Sequence, residues 1–394
     1  MASQTKVHYT PPQRLSSFTR GNMFQSSANI HLSILAQNIE TVRTHLPDGV
    51  YILFAVKSNA YGHGIEAVSR VAAEVGLDAL GVNTIEEGKR IRDADISLPI
   101  LLLSPVAFSE IHAALELDLT LSLSDLRFAR HLSHEAMKMH KRAHVHVHID
   151  TGMRRFGIRP EHAMDLFEQL QTLSSVEVEG VFSHLCAAQS PEKEDHIYTL
   201  AQIEQFEAFL TELNAVNLLP PLRHISNSAG VIKYEDRVIS QRLNMIRIGT
   251  LFYGYAEVAR PWAQRVKPVA TLVTPIVAIT DLEPGDYVGY GRGYQASTPQ
   301  RIAIIPVGYS TGIHPQFANR GTVWVNGHSA PLVGHICLNH TFVDVTRIGD
   351  VSVGDTVEVL GPHSPADLLA KKANLTVCQL LVPALQSAEE RTYV

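Results

Sequence analysis

An amine that ends an apolar strand is the first place where this sequence suggests chemistry. The β-prone run 50–56 stops in Lys57 and is followed by Ser58-Asn59-Ala60-Tyr61-Gly62-His63-Gly64, with a turn-forming asparagine, a tyrosine one helical turn on and two glycines. A primary amine at a strand mouth can form a Schiff base, and partial burial moves its pKa down toward a nucleophilic or basic range. Further along, Met245-Ile246-Arg247-Ile248-Gly249 sets an arginine in an otherwise apolar run, where a buried guanidinium requires partners. Asn227-Ser228-Ala229-Gly230 and Gly249-Thr250 supply small residues and hydroxyls where backbone N–H groups could cradle a phosphate. His144, His146 and His148 alternate and so share one strand face, a spacing that metal-dependent barrel hydrolases use.

The elements that must carry these residues alternate regularly. Apolar positions Leu32, Leu35, Ile39, Val42 and Leu46 mark an amphipathic helix, and the Lys57 strand is followed by a helix with Ile65, Val68, Val71 and Val75 on one face. Further strands are expected at 79–82, 99–104, 119–123, 143–150, 176–184, 223–226 and 245–251, and Thr84-Ile85-Glu86-Glu87 reads as a capping box opening one of the helices between them. Eight strands alternating with helices imply a (β/α)8 TIM-type barrel, in which reactive groups sit at the C-terminal strand ends. Lys57, Arg155, His184 and Ser228 fall there. An open doubly wound sheet would carry a glycine-rich turn after its first strand, and none is present. From about residue 266 the pattern changes to alternating runs broken by Glu-Pro-Gly, Asn-Gly and Val-Gly-Asp turns, a mostly antiparallel β domain. The expected division is an extension over 1–26, a barrel over 27–265 and a β domain over 266–394.

A net charge of −6 gives no electrostatic footprint for nucleic acid or anionic membrane. Three widely spaced cysteines, Cys186, Cys337 and Cys378, fit a reducing compartment. No apolar run reaches the roughly 18 residues that span a bilayer. The polar first 25 residues read as an extension that is disordered or packed on a partner, not a secretory signal. The expected location is cytoplasmic.

The Lys57 stretch, the barrel-then-β order, Asp150-Thr151-Gly152-Met153-Arg154-Arg155-Phe156-Gly157, Gly180-Val181-Phe182-Ser183-His184 and Pro306-Val307-Gly308-Tyr309-Ser310-Thr311-Gly312 together resemble the alanine racemases and related amino-acid racemases. That resemblance covers nearly the whole chain from about residue 27. It implies pyridoxal 5'-phosphate held by Lys57, with phosphate contacts from Tyr61, Ser228, Gly249 and Thr250 and the pyridine nitrogen facing Arg247. It matches Arg155 to the arginine that meets the cofactor's phenolic oxygen and the substrate carboxylate. It matches His184 to the histidine linking the catalytic tyrosine to Arg247. Racemisation through a planar carbanion needs a base on each face, and the resemblance gives Lys57 one face and Tyr309, reaching across a homodimer, the other. A tyrosine titrates near about 10, so positive neighbours such as His184 and Arg247 are expected to lower it.

Several positions depart from the common pattern. Arg154 stands where a glycine is usual, His148 where many members have a carbamylated lysine, Thr311 for an aspartate, Leu338-Asn339 for a Met-Asp pair bordering the substrate, and Cys378 for a C-terminal tyrosine. The proton-transfer and cofactor groups are kept while the pocket lining is altered. The expected substrate is alanine or a related small amino acid, with serine or larger amino acids as the alternative. The rival from a different class is a metal-dependent hydrolase using His144, His146 and His148. Basic amino-acid decarboxylation lacks its expected C-terminal Cys and Asp motif here, and a non-catalytic cofactor carrier would not need Tyr309.

Overall fold

The computed structural model describes residues 26–394. The reading of the first 25 residues lies outside them. Strand β1 (Ser27–Ile30) comes first, and eight short strands then alternate with helices: β2 (Tyr51–Ala55), β3 (Ala79–Val82), β4 (Ile100–Leu102), β5 (Leu121–Leu123), β6 (Ala143–His148), β7 (Val176–Phe182), β8 (Leu222–His224) and β9 (Met245–Ile248). Parallel pairing runs β4-β3-β2-β9 and β5-β6-β7-β8. A bridge from Leu101 to Thr120 joins β4 to β5, and Asn244 N–H to Arg223 O (3.2 Å) joins β8 to β9, so the ring closes. The expected (β/α)8 barrel is the observed one.

Side-chain period two fills the barrel in layers. Leu53, Leu101 and Met245 pack at one level with Leu103 and Leu222 against them. Two residues further along their strands come His224 and Arg247, and the next inward positions are Lys57 and Gly249 at the mouth. Helix starts are set by side-chain caps: Thr84 accepts from Glu87 N–H (3.2 Å), Asp125 from Phe128 N–H (2.8 Å) and Asn227 from Gly230 N–H (2.9 Å).

The second unit is a nine-stranded sheet. Its strands β10 (Ala270–Pro275), β11 (Ala278–Leu282), β12 (Tyr287–Val288), β13 (Tyr294–Gln295), β14 (Gln300–Ile305), β15 (Thr322–Val325), β16 (His328–Val333), β17 (Thr341–Asp344), β18 (Thr356–Leu360) and β19 (Glu390–Tyr393) pair in the order β11-β14-β17-β16-β15-β18-β10-β1-β19, with β12-β13 a separate hairpin. All its pairings are antiparallel except β1 with β19. Strand β1 therefore belongs by hydrogen bonding to this sheet, which corrects the expectation that residues 27–30 sit with the barrel. The unit also carries two helices, Ala366–Lys372 and Val377–Gln386, where few helical segments were expected. Among the described residues no single helix is long and apolar enough to cross a membrane.

Candidate functional site

Lys57 leaves β2 into one turn of left-handed helix. Ser58, Asn59, Ala60 and Tyr61 have φ of 54°, 55°, 53° and 52°, and Gly62 follows at 87°. For L-residues this hand costs about 1–2 kcal/mol each, so the run holds about 4–8 kcal/mol of local strain that its surroundings must offset. The Glu87 carboxylate accepts from Ser58 N–H and from Asn59 N–H (3.3 Å) with one oxygen and from Asn83 N–H (2.9 Å) with the other. Asn59 Oδ1 accepts from Ile65 N–H (3.1 Å) and Arg90 Nη2 (2.9 Å). Gln386, on the C-terminal helix of the second unit, donates to Ser58 O (3.0 Å). Gly62 admits that helix, since a Cβ there would meet Leu385 Cβ at 2.7 Å.

The amine faces a cleft of about 280 Å³ lined by Lys57, His148, Arg155, Phe182, His184 and Arg247 among others. Burial, with Arg155 and then Arg247 nearby, lowers the Lys57 pKa. Arg247 is buried and donates through Nη1 to His224 Nδ1 (2.7 Å) and through Nη2 to Ser183 O (2.8 Å), His184 Nδ1 (3.0 Å) and Ile225 O (3.2 Å). A guanidinium only donates, so His224 and His184 each accept at Nδ1 and carry their proton on Nε2. His224 Nε2 in turn meets His146 Nδ1 at 2.8 Å, which continues the same polarity. Burial and then Arg247 hold His184 and His224 well below their ordinary range and His146 at about 3. Burial and then Arg155 bring Arg247 down to about 9, which leaves it protonated at neutral pH.

At the ends of β8 and β9 lies a second cluster. Asn227 caps the helix Ser228–Val238, and Gly249 N–H donates to Ser228 Oγ (2.9 Å). A Cβ on Gly249 would come 2.9 Å from Tyr61 Oη, so the tyrosine hydroxyl lies over the bare glycine. Thr250 is buried alongside. A helix N-terminus, two hydroxyls and a bare backbone suit an oxyanion group.

Tyr309, Leu338 and Asn339 are gathered elsewhere. Tyr309 opens a 3₁₀ turn, half exposed, and donates its N–H to Cys337 O (3.0 Å), while Ser310 donates to Leu338 O and to Asn339 Oδ1 (2.6 Å). None of the three lines the cleft around Lys57. The Thr311 hydroxyl accepts from Gly308 N–H (2.8 Å) and so closes this turn without a carboxylate.

Residues 30–257 match the family described as alanine racemase, N-terminal domain, and residues 269–393 match alanine racemase, C-terminal domain. The chain belongs to the alanine racemase family. Among its relatives is the alanine racemase of Halothermothrix orenii, 33% identical over 93% of this chain and 96% of that one. A solved alanine racemase from Clostridium difficile 630 superposes with a TM-score of 0.84 at 28% identity, covering 94% and 96% of the two chains. A third, from Bartonella henselae, described with covalently bound pyridoxal phosphate, has a TM-score of 0.81 at 23% identity over 94% and 99%, which speaks to the fold.

With the alanine racemase family as reference, several expectations change. His184 is a neutral acceptor beside Arg247, so it cannot be one of the positive groups expected to act on a tyrosine. The metal-site rival fails on geometry. The three rings do not converge on one point: His144 turns to Glu179 (2.8 Å), His146 to His224, and His148 stacks on Phe182 (centroids 4.1 Å apart). Among the described residues no three His, Cys, Asp or Glu side chains group as metal ligands. Arg154 adopts φ 55°, the conformation that explains a glycine there in other alanine racemases, and is held by Asp150 through its backbone N–H (3.1 Å) and Nη1 (3.2 Å). Cys378 adjoins Lys57 and Tyr61, and burial pushes its thiol up to about 12, so it is neutral. Three residues escaped sequence reasoning: His224, Glu87 and Gln386. The inward alternation Leu222, His224 on β8 was available as a signal for the first. For Glu87 the visible signal was a capping box, and its side chain instead leaves the helix. Gln386 offered none.

Proposed function

We propose that this chain is a pyridoxal 5'-phosphate-dependent alanine racemase in which Lys57 and Tyr309 of a second copy exchange the α-proton on opposite faces of the substrate. The observation that carries this reading is the ring of Lys57, Arg155, His184 and Arg247 around one cleft, with an oxyanion cradle at Tyr61, Ser228 and Gly249 on the adjoining strand ends.

The residues present fit the cofactor. Gly249 leaves open the space a Cβ would fill under the Tyr61 hydroxyl, and Ser228, Gly249, Thr250 and Tyr61 would hold the phosphate. Arg247 would hold the ring nitrogen. When bound, the cofactor supplies an electron sink for the charge left on the α-carbon. Arg247 keeps its own proton at neutral pH, because its neighbours only accept, so it would leave that nitrogen unprotonated and the sink weak. Simple return of the proton to carbon is then favoured over transamination. Burial raises the neutral fraction of the Lys57 amine, which suits it to take and return a proton. Arg155, whose guanidinium lies over Phe156 (5.4 Å) at the cleft rim, would receive the substrate carboxylate.

The homodimer follows from the separation of the two bases. Tyr309, Leu338 and Asn339 lie outside the Lys57 cleft, so a complete two-base site requires a second copy to bring them there. We place the enzyme in the cytoplasm, consistent with three free cysteines. A wider substrate range, serine or larger amino acids, is the second reading, favoured by Asn339 where a carboxylate is usual.

The test uses purified protein. It should carry the visible band of a lysine Schiff base, be bleached by borohydride with the label on Lys57, and exchange the α-hydrogen of L- and D-alanine with solvent deuterium. A colourless chain with no exchange across a panel of amino acids overturns the reading. Mixing inactive Lys57→Ala and Tyr309→Phe chains should restore activity through hybrid dimers that hold one intact site. No restoration would contradict the shared site.

A further inference from the structure

Glu87 has no part in the proton transfers above, and its geometry exceeds what a helix start requires. The helix Ile85–Asp93 is already capped by Thr84 Oγ1 on Glu87 N–H, and in a reciprocal capping box the Glu87 carboxylate would reach back to Thr84 N–H. Instead it crosses to the neighbouring strand end. One oxygen receives the two successive N–H groups of Ser58 and Asn59, and the other receives Asn83 N–H. Successive amides in a strongly turned backbone form a concave donor pair that favours an anion. The residue immediately before that pair is Lys57.

We propose that Glu87 is a positioning residue for the lysine: its carboxylate clamps the left-handed turn 58–61 and thereby fixes where the Lys57 amine enters the cleft. A right-handed turn at the same place would direct the chain after Lys57 along a different path, and within residues 58–60, none of them glycine, only Asn59 tolerates the left hand. Ser58 and Ala60 need support from outside the turn. Gln386 holds the opposite side of the same residue through Ser58 O, and Asn59 is tied to Arg90, itself fixed by Glu66 (2.7 and 2.9 Å). Of these contacts only Glu87 engages the N–H groups of Ser58 and Asn59, and it does so with a charge-assisted acceptor. A carboxamide cannot replace it in full. With one acceptor oxygen it can serve the turn or Asn83, and its NH₂ would oppose an N–H on the other side.

This inference rests on the proposed function for its kinetic arm alone. Full-length Glu87→Gln, Glu87→Ala and, as a control for the helix cap, Thr84→Ala are compared with the wild type. In the cofactor-free chain, amide hydrogen exchange should accelerate at least about tenfold at Ser58 and Asn59 in Glu87→Ala, accelerate at that pair or at Asn83 in Glu87→Gln, and stay unchanged in Thr84→Ala, because exchange reports loss of those particular hydrogen bonds. In the loaded enzyme, kcat for alanine racemisation should fall about 10- to 100-fold with KM altered far less, the expected result of misplacing a reacting group by about 1 Å. The pH at which the lysine-bound cofactor's visible band titrates should shift as well. Unchanged exchange at Ser58 and Asn59 in Glu87→Ala, or at Ser58, Asn59 and Asn83 alike in Glu87→Gln, overturns the proposal whatever the activity. Faster exchange with kcat within about twofold of wild type also overturns it, since the turn would then be loosened without consequence for the amine. If the wild type itself does not racemise alanine, the function falls and the exchange arm still decides the clamp.

Discussion

Acid should unfold this protein well before its carboxylates are protonated, because it buries several neutral histidines. His63 is held at about 4, and His146 and His148 at about 3, each mainly by burial. Their pKa values are depressed on folding from the ordinary 6.5. Below that value the unfolded chain binds protons the folded chain refuses, so the stability they confer is complete above about pH 6.5 and drains away as pH falls toward 4 and then 3. Each group loses about 1.4 kcal/mol per pH unit in that window. Three groups one unit below 6.5 therefore remove about 4 kcal/mol, and at about pH 5 roughly 6 kcal/mol, against a typical total of 5–15. His184 and His224, lowered by burial and by Arg247, act in the same direction. The assay is urea unfolding followed by circular dichroism between about pH 7.5 and pH 5, where the midpoint should fall steeply below 6.5. His148→Phe is the attributing variant. His148 stacks on Phe182 and its Nδ1 is buried without a partner, so a phenyl ring fits the contact and removes one titrating group. The slope should become shallower by about one proton. A midpoint that stays level from pH 7.5 to 5, or a His148→Phe slope identical to wild type, would refute the reasoning.

Other substitutions address the cradle and the departures from the common sequence. Gly249→Ala places a methyl 2.9 Å from Tyr61 Oη, and Tyr61 is backed by Tyr253 (centroids 5.0 Å apart), so the ring has little room to retreat. Overpacking of about 1–3 kcal/mol would weaken pyridoxal phosphate binding about 5- to 150-fold in a spectrophotometric titration; unchanged affinity would place the phosphate elsewhere. Tyr309→Phe should suppress α-proton exchange from one enantiomer of alanine far more than from the other and leave cofactor binding intact, and equal losses would contradict its role as one of two bases. Arg154→Gly relieves a left-handed backbone but gives up the contact to Asp150, so thermal melts should show a net change within about 1 kcal/mol.

Much of the barrel was legible because its signals are local. Period-two runs carrying Lys57, His184 and Arg247 define both the strands and the inward positions, and the structure puts those side chains around one cleft. What stayed hidden depends on contacts distant in sequence. Residues 27–30 read as the start of the barrel because nothing in Ser-Ala-Asn-Ile announces partners at 270–273 and 390–393. The left-handed turn was nearly silent: Lys-Ser-Asn-Ala has no glycine and only Asn59 hints at positive φ, while Glu87 and Gln386, which hold the turn, lie on other elements. The histidine row was misread for a smaller reason, since alternation counting says nothing of the separate partners, Glu179, His224 and Phe182, that each ring finds.

The pairing of β1 with β10 and β19 has a consequence for how the molecule comes into being. Residues 27–30 are made well before either neighbour, one lying some 240 residues downstream and the other more than 360. At about 5–20 residues per second the first strand waits on the order of 20–70 s for its last partner. The eight barrel strands are complete by Ile248, long before Gln386 emerges to take hold of Ser58. The nascent chain thus passes through a stage with the barrel strands complete and the lysine turn braced on one side only, and the stretch 386–393 then adds both an edge strand of the sheet and the grip on that turn.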